Sequence, residues 1–409
     1  MDFTSVLKEI KPTQKEEREL SSLVKQVTKN IVVKDAIPIL GGSGAKGTWL
    51  RNTHDIDIYV KFKYASYKDK SDQLADILHQ ALKKKFSRIV RLHGSRDYFQ
   101  IKHHHRMLEI VPILDIKTPQ QAQNTTDFSH LHVHYVLQHI KKRRKLADEI
   151  RLTKQFAKAN HVYGAESYIK GFSGYVLELL TIHYGSFMEF MKAAARWKPH
   201  TIIGSSKAAK KLNPSKCSLL IVIDPVQPDR NAAAALSEEK FYDFIMAARA
   251  FLKHLSLSFF KEKHINPEQL HRLGTLIQLD VAPLPGNRDI AGAKLLKAFT
   301  FIREQIKHYG FTLIAAKWSF NPAKKTAVWY YVLDKHELPP MKKIAGPPSN
   351  NTKAVNAFKK EHGTIQTKGN RVYAIVPREF KDCTRLIKYL MIKPEVTERA
   401  KAVSLATQK

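Results

Sequence analysis

Between positions 40 and 60 the chain reads Leu40-Gly-Gly-Ser-Gly-Ala-Lys-Gly-Thr-Trp-Leu-Arg-Asn-Thr-His-Asp-Ile-Asp-Ile-Tyr-Val60, and no other stretch constrains the fold as tightly. Side chains two apart on a strand share a face. Asp55 and Asp57 therefore project together, with Ile56 and Ile58 on the other side. Two adjacent carboxylates repel each other unless a cation sits between them. A hard dication such as Mg²⁺ suits oxygen ligands and arrives with substrate phosphates. Upstream, Gly41, Gly42 and Gly44 let the backbone approach a phosphate closely, and Ser43 and Lys46 offer donors. The local chemistry reads as a site for a metal-bound nucleoside triphosphate, built on a turn that feeds a strand.

Taken singly, a D-x-D strand usually lines a solvated face and a Gly-Gly-Ser is usually a turn. The combination of turn, gap and strand resembles the nucleotidyltransferase signature of the polymerase β superfamily, G-S followed after a short gap by D-x-D. That superfamily needs a third carboxylate from a neighbouring strand. The segment Arg106-Met-Leu-Glu-Ile-Val-Pro-Ile-Leu-Asp-Ile116 holds two candidates. Glu109 is surrounded by apolar residues, so a charge there needs a reason. Asp115 stands near the strand's end and looks like a turn residue. Glu109 is preferred because Leu108-Glu-Ile-Val-Pro112 resembles the family's third-carboxylate strand, which more often carries Asp.

Further blocks narrow the resemblance to the archaeal-type (class I) CCA-adding enzymes. Gly42-Ser-Gly-Ala-Lys-Gly-Thr-Trp-Leu50 looks like their G-S-x-A-[KR]-x-T-W-L. Thr126-Asp-Phe-Ser-His-Leu-His132 is similar to T-D-R-[ST]-P-x-H, with Phe128 and His130 as departures. Arg151-Leu-Thr-Lys154, Lys158-Ala-Asn-His-Val-Tyr-Gly-Ala-Glu166, Gly171-Phe-Ser-Gly-Tyr-Val-Leu-Glu-Leu-Leu180, Tyr184-Gly-Ser-Phe187, Asp224-Pro-Val226 and Arg230-Asn231 follow in the family's order. Beyond about residue 240 the match thins to Gly346-Pro-Pro348 and general layout. The resemblance implies Asp55, Asp57 and Glu109 as catalytic metal ligands, with Mg²⁺ as cofactor. It implies Gly42, Ser43 and Lys46 as the triphosphate turn, and His132, Lys154 and Tyr163 as nucleotide contacts. Arg230 would read the incoming base and brace the growing 3′ end. The implied activity is template-independent building and repair of the 3′-terminal CCA of tRNA from CTP and ATP, releasing pyrophosphate.

Charge agrees with a polyanionic partner. The 409-residue chain carries a formal net charge of +32 and a pI near 9.9. An excess of that size is the footprint of a long RNA, and a membrane surface is the competing partner. No run of roughly 18 apolar residues suggests a membrane span. Met1-Asp-Phe-Thr-Ser5 lacks the apolar core of a signal peptide. Cys217 and Cys383 are too few for a disulfide framework. The expected location is the cytoplasm. The tRNA acceptor stem and T arm are the expected contacts, and a homodimer is an allowed assembly.

The periodicity predicts an α+β chain. A polymerase-β-like nucleotidyltransferase head spans 1–140, a helical central domain 141–260, an RRM/ferredoxin-like body 261–378 and a small tail 379–409. Thr13 and Glu16 form a capping-box pattern opening a helix through about Asn30. Strands are expected at 36–40, 55–62, 88–92, 97–102 and 107–115, with a helix over 71–85. Residues 144–255 read as helical. In the body, strand 273–281, helix 290–308, strands 311–320 and 326–333, helix 355–361 and strand 371–376 give a βαββαβ order. Trp329-Tyr-Tyr331 could stack bases but reads better as hairpin core.

Other features are weaker. His130-x-His132-x-His134 has strand-like metal spacing and His103–His105 is a compact cluster, but a zinc site needs a further convergent ligand. Lys141–Lys145, Lys207–Lys211 and Lys342-Lys343 could each be an ordinary solvated face, and with +32 overall at least one is expected to touch phosphates. Two rival functions remain. A poly(A) polymerase or oligoadenylate synthetase would share the triad and use ATP alone. An RNA-binding protein with an inactive nucleotidyltransferase fold would have no reason to keep three carboxylates together.

Overall fold

Thr13 opens the first long helix, Gln14–Asn30. The Glu16 amide donates to the Thr13 hydroxyl at 3.2 Å, and the Thr13 amide donates to the Glu16 carboxylate at 2.8 Å. This is the reciprocal cap expected from Thr13 and Glu16. The computed structural model describes residues 1–51, 53, 55–103 and 106–406. They form an α+β chain of two compact units, Met1–Lys263 and His264–Lys409.

The first unit begins with a five-stranded sheet in the order β1-β2-β5-β4-β3. The strands are β1 Ala36–Leu40, β2 Asp55–Lys63, β3 Ile89–Leu92, β4 Tyr98–His103 and β5 Arg106–Asp115. Only β2 and β5 run parallel. Ile56, Ile58, Val60 and Phe62 alternate onto one face, where they pack with Leu108, Ile110, Phe99 and Ile101. Leu20 and Val27 of the first long helix and Leu74, Leu78 and Leu82 of the helix Leu74–Lys83 cover that face. The polar half of the alternation, Asp55, Asp57 and Tyr59, takes the other face.

The expected helical region follows. Helices Leu146–Ala159, Gly174–Tyr184, Phe187–Ala194 and Glu238–Lys253 share one core. Its centre is Phe156, whose ring lies 5.5 to 6.4 Å from those of Phe187, Phe244, Phe251, Phe259 and Phe260. Val6 and Ile10 of the helix Thr4–Ile10 join this core too. The helical run is interrupted by a parallel pair, β6 Thr201–Ile203 and β7 Leu220–Val222, too short to leave an alternation in the sequence.

The second unit holds a four-stranded antiparallel sheet, β14-β8-β10-β9. Its strands are β8 Thr275–Pro283, β9 Leu313–Asn321, β10 Thr326–Leu333 and β14 Ala400–Leu405. With helices Arg288–His308 and Cys383–Met391 they complete the predicted βαββαβ plan. The second half of that plan comes from unexpected residues. The helix expected at 355–361 is Thr352–His362, and the strand expected at 371–376 is β13, Arg371–Pro377. The strand belongs to a separate three-stranded sheet, β11-β13-β12, with β11 Met341–Pro348 and β12 Ile365–Lys368, and the helix packs against that sheet. The segment expected as a tail instead supplies the fourth strand and second helix. Cys383, Leu386, Ile387, Leu390, Val396 and Ala400 are buried in the main core with Trp329 and Tyr331. Trp329 and Tyr331 are therefore core, as their hairpin position suggested.

The small sheet is an excursion closed at its neck. The Leu338 amide donates to Lys381 O at 2.8 Å, and the Cys383 amide to His336 O at 3.1 Å. His336 Nδ1 lies 3.2 Å from Asp382, and its Nε2 lies 2.8 Å from the Thr384 hydroxyl. His336, Glu337 and Asp382 bring ligand atoms within 4.8 Å of one another. Both ring nitrogens of His336 are already engaged there, so the cluster works as a clasp between the two ends of the excursion.

Ending the chain at Arg378 should therefore unfold the second unit. The truncation removes several fully buried aliphatic side chains, each worth about 2–5 kcal/mol, against a total stability of about 5–15 kcal/mol. Limited proteolysis should then cut throughout residues 264–378 while leaving 1–263 resistant.

Candidate active site

The parallel register of β2 and β5 sets Asp57 directly beside Glu109, two positions along from Asp55 beside Met107. Side chains paired in register point to the same face, so the three carboxylates share one surface. Gln100 on β4 pairs with Glu109 and donates to its Oε1 at 2.7 Å. Asp115 lies at the far end of the same pairing, opposite Lys63, where it forms a half-buried ion pair with Lys61 at 2.7 Å. Register thus groups Glu109, and not Asp115, with the D-x-D pair.

Burial raises the Asp57 carboxyl to about 6, and the facing Glu109 carboxylate and then Asp55 push in the same direction, against Lys46 and Lys154. Three carboxylates in mutual repulsion, one of them driven toward its protonated form, are a donor set suited to a divalent cation. The glycine turn lies against them. Gly42 has φ +53°, and a Cβ there would fall 1.6 Å from Asp57 Oδ2. Only glycine fits between the turn and the carboxylate. The Gly41 amide donates to Asp57 O at 2.8 Å and the Gly42 amide to the Tyr59 hydroxyl at 3.2 Å, which fixes the turn to β2.

Lys46 and Lys154, expected at the nucleotide, converge on one buried acid. Glu178 has no solvent exposure. Lys46 Nζ donates to its Oε2 at 2.6 Å, and Lys154 Nζ and the Thr48 hydroxyl to Oε1 at 2.7 and 2.6 Å. Burial alone would raise this carboxyl; the two ammonium groups outweigh it and hold Glu178 at about 2. Arg151, one turn before Lys154, donates to Trp49 O at 3.2 Å and to Gly47 O at 2.6 Å. The Tyr163 hydroxyl lies over Gly174, where a Cβ would approach it to 3.0 Å and Lys154 Cε to 3.7 Å. Four separate sequence blocks meet here, and Lys46 and Lys154 are committed to holding them together.

A second cluster gathers His132 and Arg230 around Asp224. Arg230 Nη1 donates to Asp224 Oδ2 at 2.8 Å, and the Tyr175 hydroxyl to Oδ1 at 3.1 Å. His132 Nε2 lies 3.1 Å from Oδ2, off the line of a hydrogen bond, with its ring 4.3 Å from that of Tyr175. Tyr175 joins the two clusters, since Lys46 Nζ stands 5.8 Å from its ring centre. Arg230 remains about two-fifths exposed, with a side-chain accessibility of 42%. The loop leading to His132 is anchored by Asp127, which pairs with Arg96 and accepts the amides of Leu114, Gln123 and Asn124 at 2.9 to 3.1 Å. His130, His132 and His134 lie on the helix Ser129–Lys142, where an i, i+2 spacing diverges. Of the His103–His105 cluster, His104 and His105 lie outside the described residues.

Glu178, Tyr175, Asp224, Thr48, Tyr59 and Gln100 join the site in the structure without being marked out as site residues by the sequence. A signal for Glu178 existed: it is the lone acid in the apolar helix Gly174–Tyr184, and such a charge demands buried partners.

Residues 148–261 match the family model "tRNA nucleotidyltransferase, second domain", and residues 283–400 match "CCA-adding enzyme, C-terminal domain". A CCA-adding enzyme of Pyrobaculum aerophilum is 32% identical over 391 residues, covering 92% of this chain and 90% of the relative. The chain belongs to the CCA-adding enzyme family. A family member from Methanosarcina acetivorans is 32% identical across 84% of this chain and 77% of its own length. One from Nanoarchaeum equitans is 33% identical across 83% and 84%. Among solved structures, a cytoplasmic RNA terminal U-transferase superposes with a TM-score of 0.51 at 16% identity, over 64% of this chain and 97% of its own. That likeness shows the nucleotidyltransferase fold. Among the described residues, no helix is long and apolar enough to cross a membrane.

Replacing Glu178 with Gln should leave two buried ammonium groups facing each other, and breaking a buried ion pair costs about 3–5 kcal/mol. The native carboxyl sits at about 2, below its ordinary 4.5, so its contribution is complete above pH 4.5 and fades as pH falls toward 2. Urea unfolding should give a lower midpoint for Glu178→Gln at pH 7, and the variant should lack the part of the acid destabilisation that this group causes.

Proposed function

We propose that the Gly42 turn and the face formed by Asp55, Asp57 and Glu109 bind CTP and then ATP as Mg²⁺ complexes, for addition to the 3′ end of tRNA. The observation that carries this is the register of Asp57 beside Glu109 under a turn that only glycine can form. Family membership supports CCA addition by nucleotidyl transfer, and the ATP-only alternative is not favoured. When bound, the ion supplies positive charge that lowers the pKa of the attacking 3′-hydroxyl and steadies the leaving pyrophosphate.

The chain's own residues do the positioning. Gln100 orients Glu109, and Tyr59 holds the turn so that Gly42 and Ser43 can face a triphosphate. The Glu178 network fixes the distance between that turn and the helices carrying Lys154 and Tyr175. Arg230, steered by Asp224, presents guanidinium donors on a rigid planar group. Cytosine offers acceptors at O2 and N3, and adenine at N1. Uracil and guanine carry protons at N3 and N1, so the same donors would meet donors. A site left with mispaired polar groups rejects close analogues strongly.

The charge excess suits the rest of the RNA. The excursion from Met341 to Arg378 carries eight Lys and Arg side chains against one acid, Glu361. Such a surface grips phosphates with little regard to sequence. We assign it, with the rest of the second unit, to the tRNA acceptor stem and T arm.

Purified protein incubated with tRNA lacking CCA and each labelled nucleotide separately should incorporate CTP, and ATP only after CTP has been added; incorporation of ATP alone would favour the rival enzyme. Asp57→Ala, Asp55→Ala and Glu109→Gln should lower incorporation by about a thousandfold, the scale of losing a preorganised charge group, with tRNA affinity nearly intact. Asp115→Asn should behave as the parent, and the reverse pattern would move the third ligand to Asp115.

Arg230→Ala should reduce CTP and ATP use and relax the discrimination against UTP, measured as relative kcat/KM for the four nucleotides. A proportional fall in all four would assign Arg230 to positioning alone.

A further inference from the structure

The incoming nucleotide needs only one side of the carboxylate face. In nucleotidyl transfer the attacking and leaving oxygens lie roughly in line through the α-phosphate. The glycine turn follows the end of β1 and is bonded to β2. The sheet order is β1-β2-β5-β4-β3. A triphosphate held at that turn therefore directs its leaving pyrophosphate toward the β1 side of the metal ligands. The 3′-hydroxyl must then arrive from the side of β5 and β4.

Register shows what lies there. The row that carries Asp57 and Glu109 continues through Gln100 on β4 to Val90 on the edge strand β3. Val90 is 55% exposed, so the face stays open to the end of that row. The neighbouring row runs from Asp55 through Met107 to Lys102. Paired side chains share a face, so the exposed Lys102 side chain stands on the same surface as the carboxylates. From the spacing of strands and the rise along them, its backbone lies about 8 Å from that of Glu109 and about 10 Å from that of Asp55. Among the described residues Lys102 has no ion pair, unlike Lys61 on the same face, which Asp115 holds. The acids nearest to Lys102 in register are the three metal ligands, and the cation claims them. A free ammonium group beside a dication is repelled by it unless an anion lies between them. The RNA brings an anion to that place. The phosphate joining its last two nucleotides is one sugar away from the attacking hydroxyl, a span that an extended lysine side chain can meet from Lys102.

We propose that Lys102 holds the last internucleotide phosphate of the RNA and so sets the 3′-hydroxyl in line with the α-phosphate, opposite the glycine turn. The inference rests on the proposed tRNA reaction. It makes the carboxylate face two-sided, with the triphosphate held from the β1 side and the acceptor end held from the β4 side.

The test uses the full chain and a synthetic minihelix of acceptor stem and T arm that ends before the CCA. Its last phosphodiester is either ordinary or replaced by an uncharged methylphosphonate. Lys102 is exposed, so Lys102→Ala and Lys102→Arg should fold as the parent does, which a melting curve checks. With the ordinary minihelix, Lys102→Ala should lower kcat for C addition about tenfold, as expected when a reacting group loses part of its alignment. KM for CTP should not change, and Lys102→Arg should recover most of the rate. The methylphosphonate should slow the parent by a similar factor. It should not slow Lys102→Ala any further, because the contact it removes is already gone. Moved several linkages upstream, the same modification should affect parent and variant equally. Losses that multiply at the last linkage would overturn the proposal, and so would an unchanged kcat in Lys102→Ala. A rise in KM for CTP alone would assign Lys102 to the triphosphate and overturn it too. Failure of the parent to add C to the ordinary minihelix would instead overturn the reaction, so the two failures are separable.

Discussion

The Glu178 carboxylate has no access to water, and two ammonium groups and a hydroxyl are all that make its burial tolerable. Lys46 and Thr48 come from the glycine turn, Lys154 from the helix Leu146–Ala159, and Glu178 from the helix Gly174–Tyr184. A buried charge cannot drift without losing its partners, so this one contact sets the spacing between the nucleotidyltransferase sheet and the helical core. Everything placed on either side inherits that spacing. Arg151 adds to it by taking the Gly47 and Trp49 carbonyls, so the segment after the turn is held by the same helix that carries Lys154. Such a network gives little net stability over an apolar core, but it is costly to break. Its use here is geometric.

On the sheet the constraint is register. Period-two alternation puts Ile56, Ile58 and Val60 into the core and so obliges Asp55, Asp57 and Tyr59 to the other face. A slip of one residue would bury the carboxylates and expose the isoleucines. The electrostatic strain at Asp57 is therefore not a local accident. The same hydrophobic pattern that stabilises the sheet forces like charges together, and the site is left with a standing demand for a cation.

Much of this was legible because the signals were local. The strands of the first sheet, the Thr13–Glu16 cap and the shared face of Asp55 and Asp57 all follow from periodicities of a few residues. Glu109 over Asp115 was legible only through resemblance; register then separates them by six positions on the same strand. What stayed hidden was long-range pairing. Nothing near Lys46 announces that its partner is Glu178, so it read as a phosphate donor. In the second unit, two helix–strand pairs, Thr352–His362 with Arg371–Pro377 and Cys383–Met391 with Ala400–Leu405, have comparable local patterns. Periodicity identifies both as elements and cannot say which pair completes the main sheet. The discounting of His130, His132 and His134 as a metal site has a local reason in the structure, because their spacing means convergence on a strand and divergence on the helix they occupy.

The clasp at the neck of the excursion and the pairing of β14 with β8 have a consequence in time. The first strand of the second unit, β8, lies beside β14, which is synthesised more than a hundred residues later. At about 5–20 residues per second, a ribosome needs on the order of ten seconds to travel from one to the other. Through that interval Leu279 and Val281 have no edge partner, and the surface later covered by Leu386 and Leu390 stays open. The excursion, whose strands are close in sequence, can form meanwhile, and so can the whole of the first unit. A nascent chain would thus possess its carboxylate face before it possesses a finished second unit, and the interval between the two is when the protein is most exposed to aggregation.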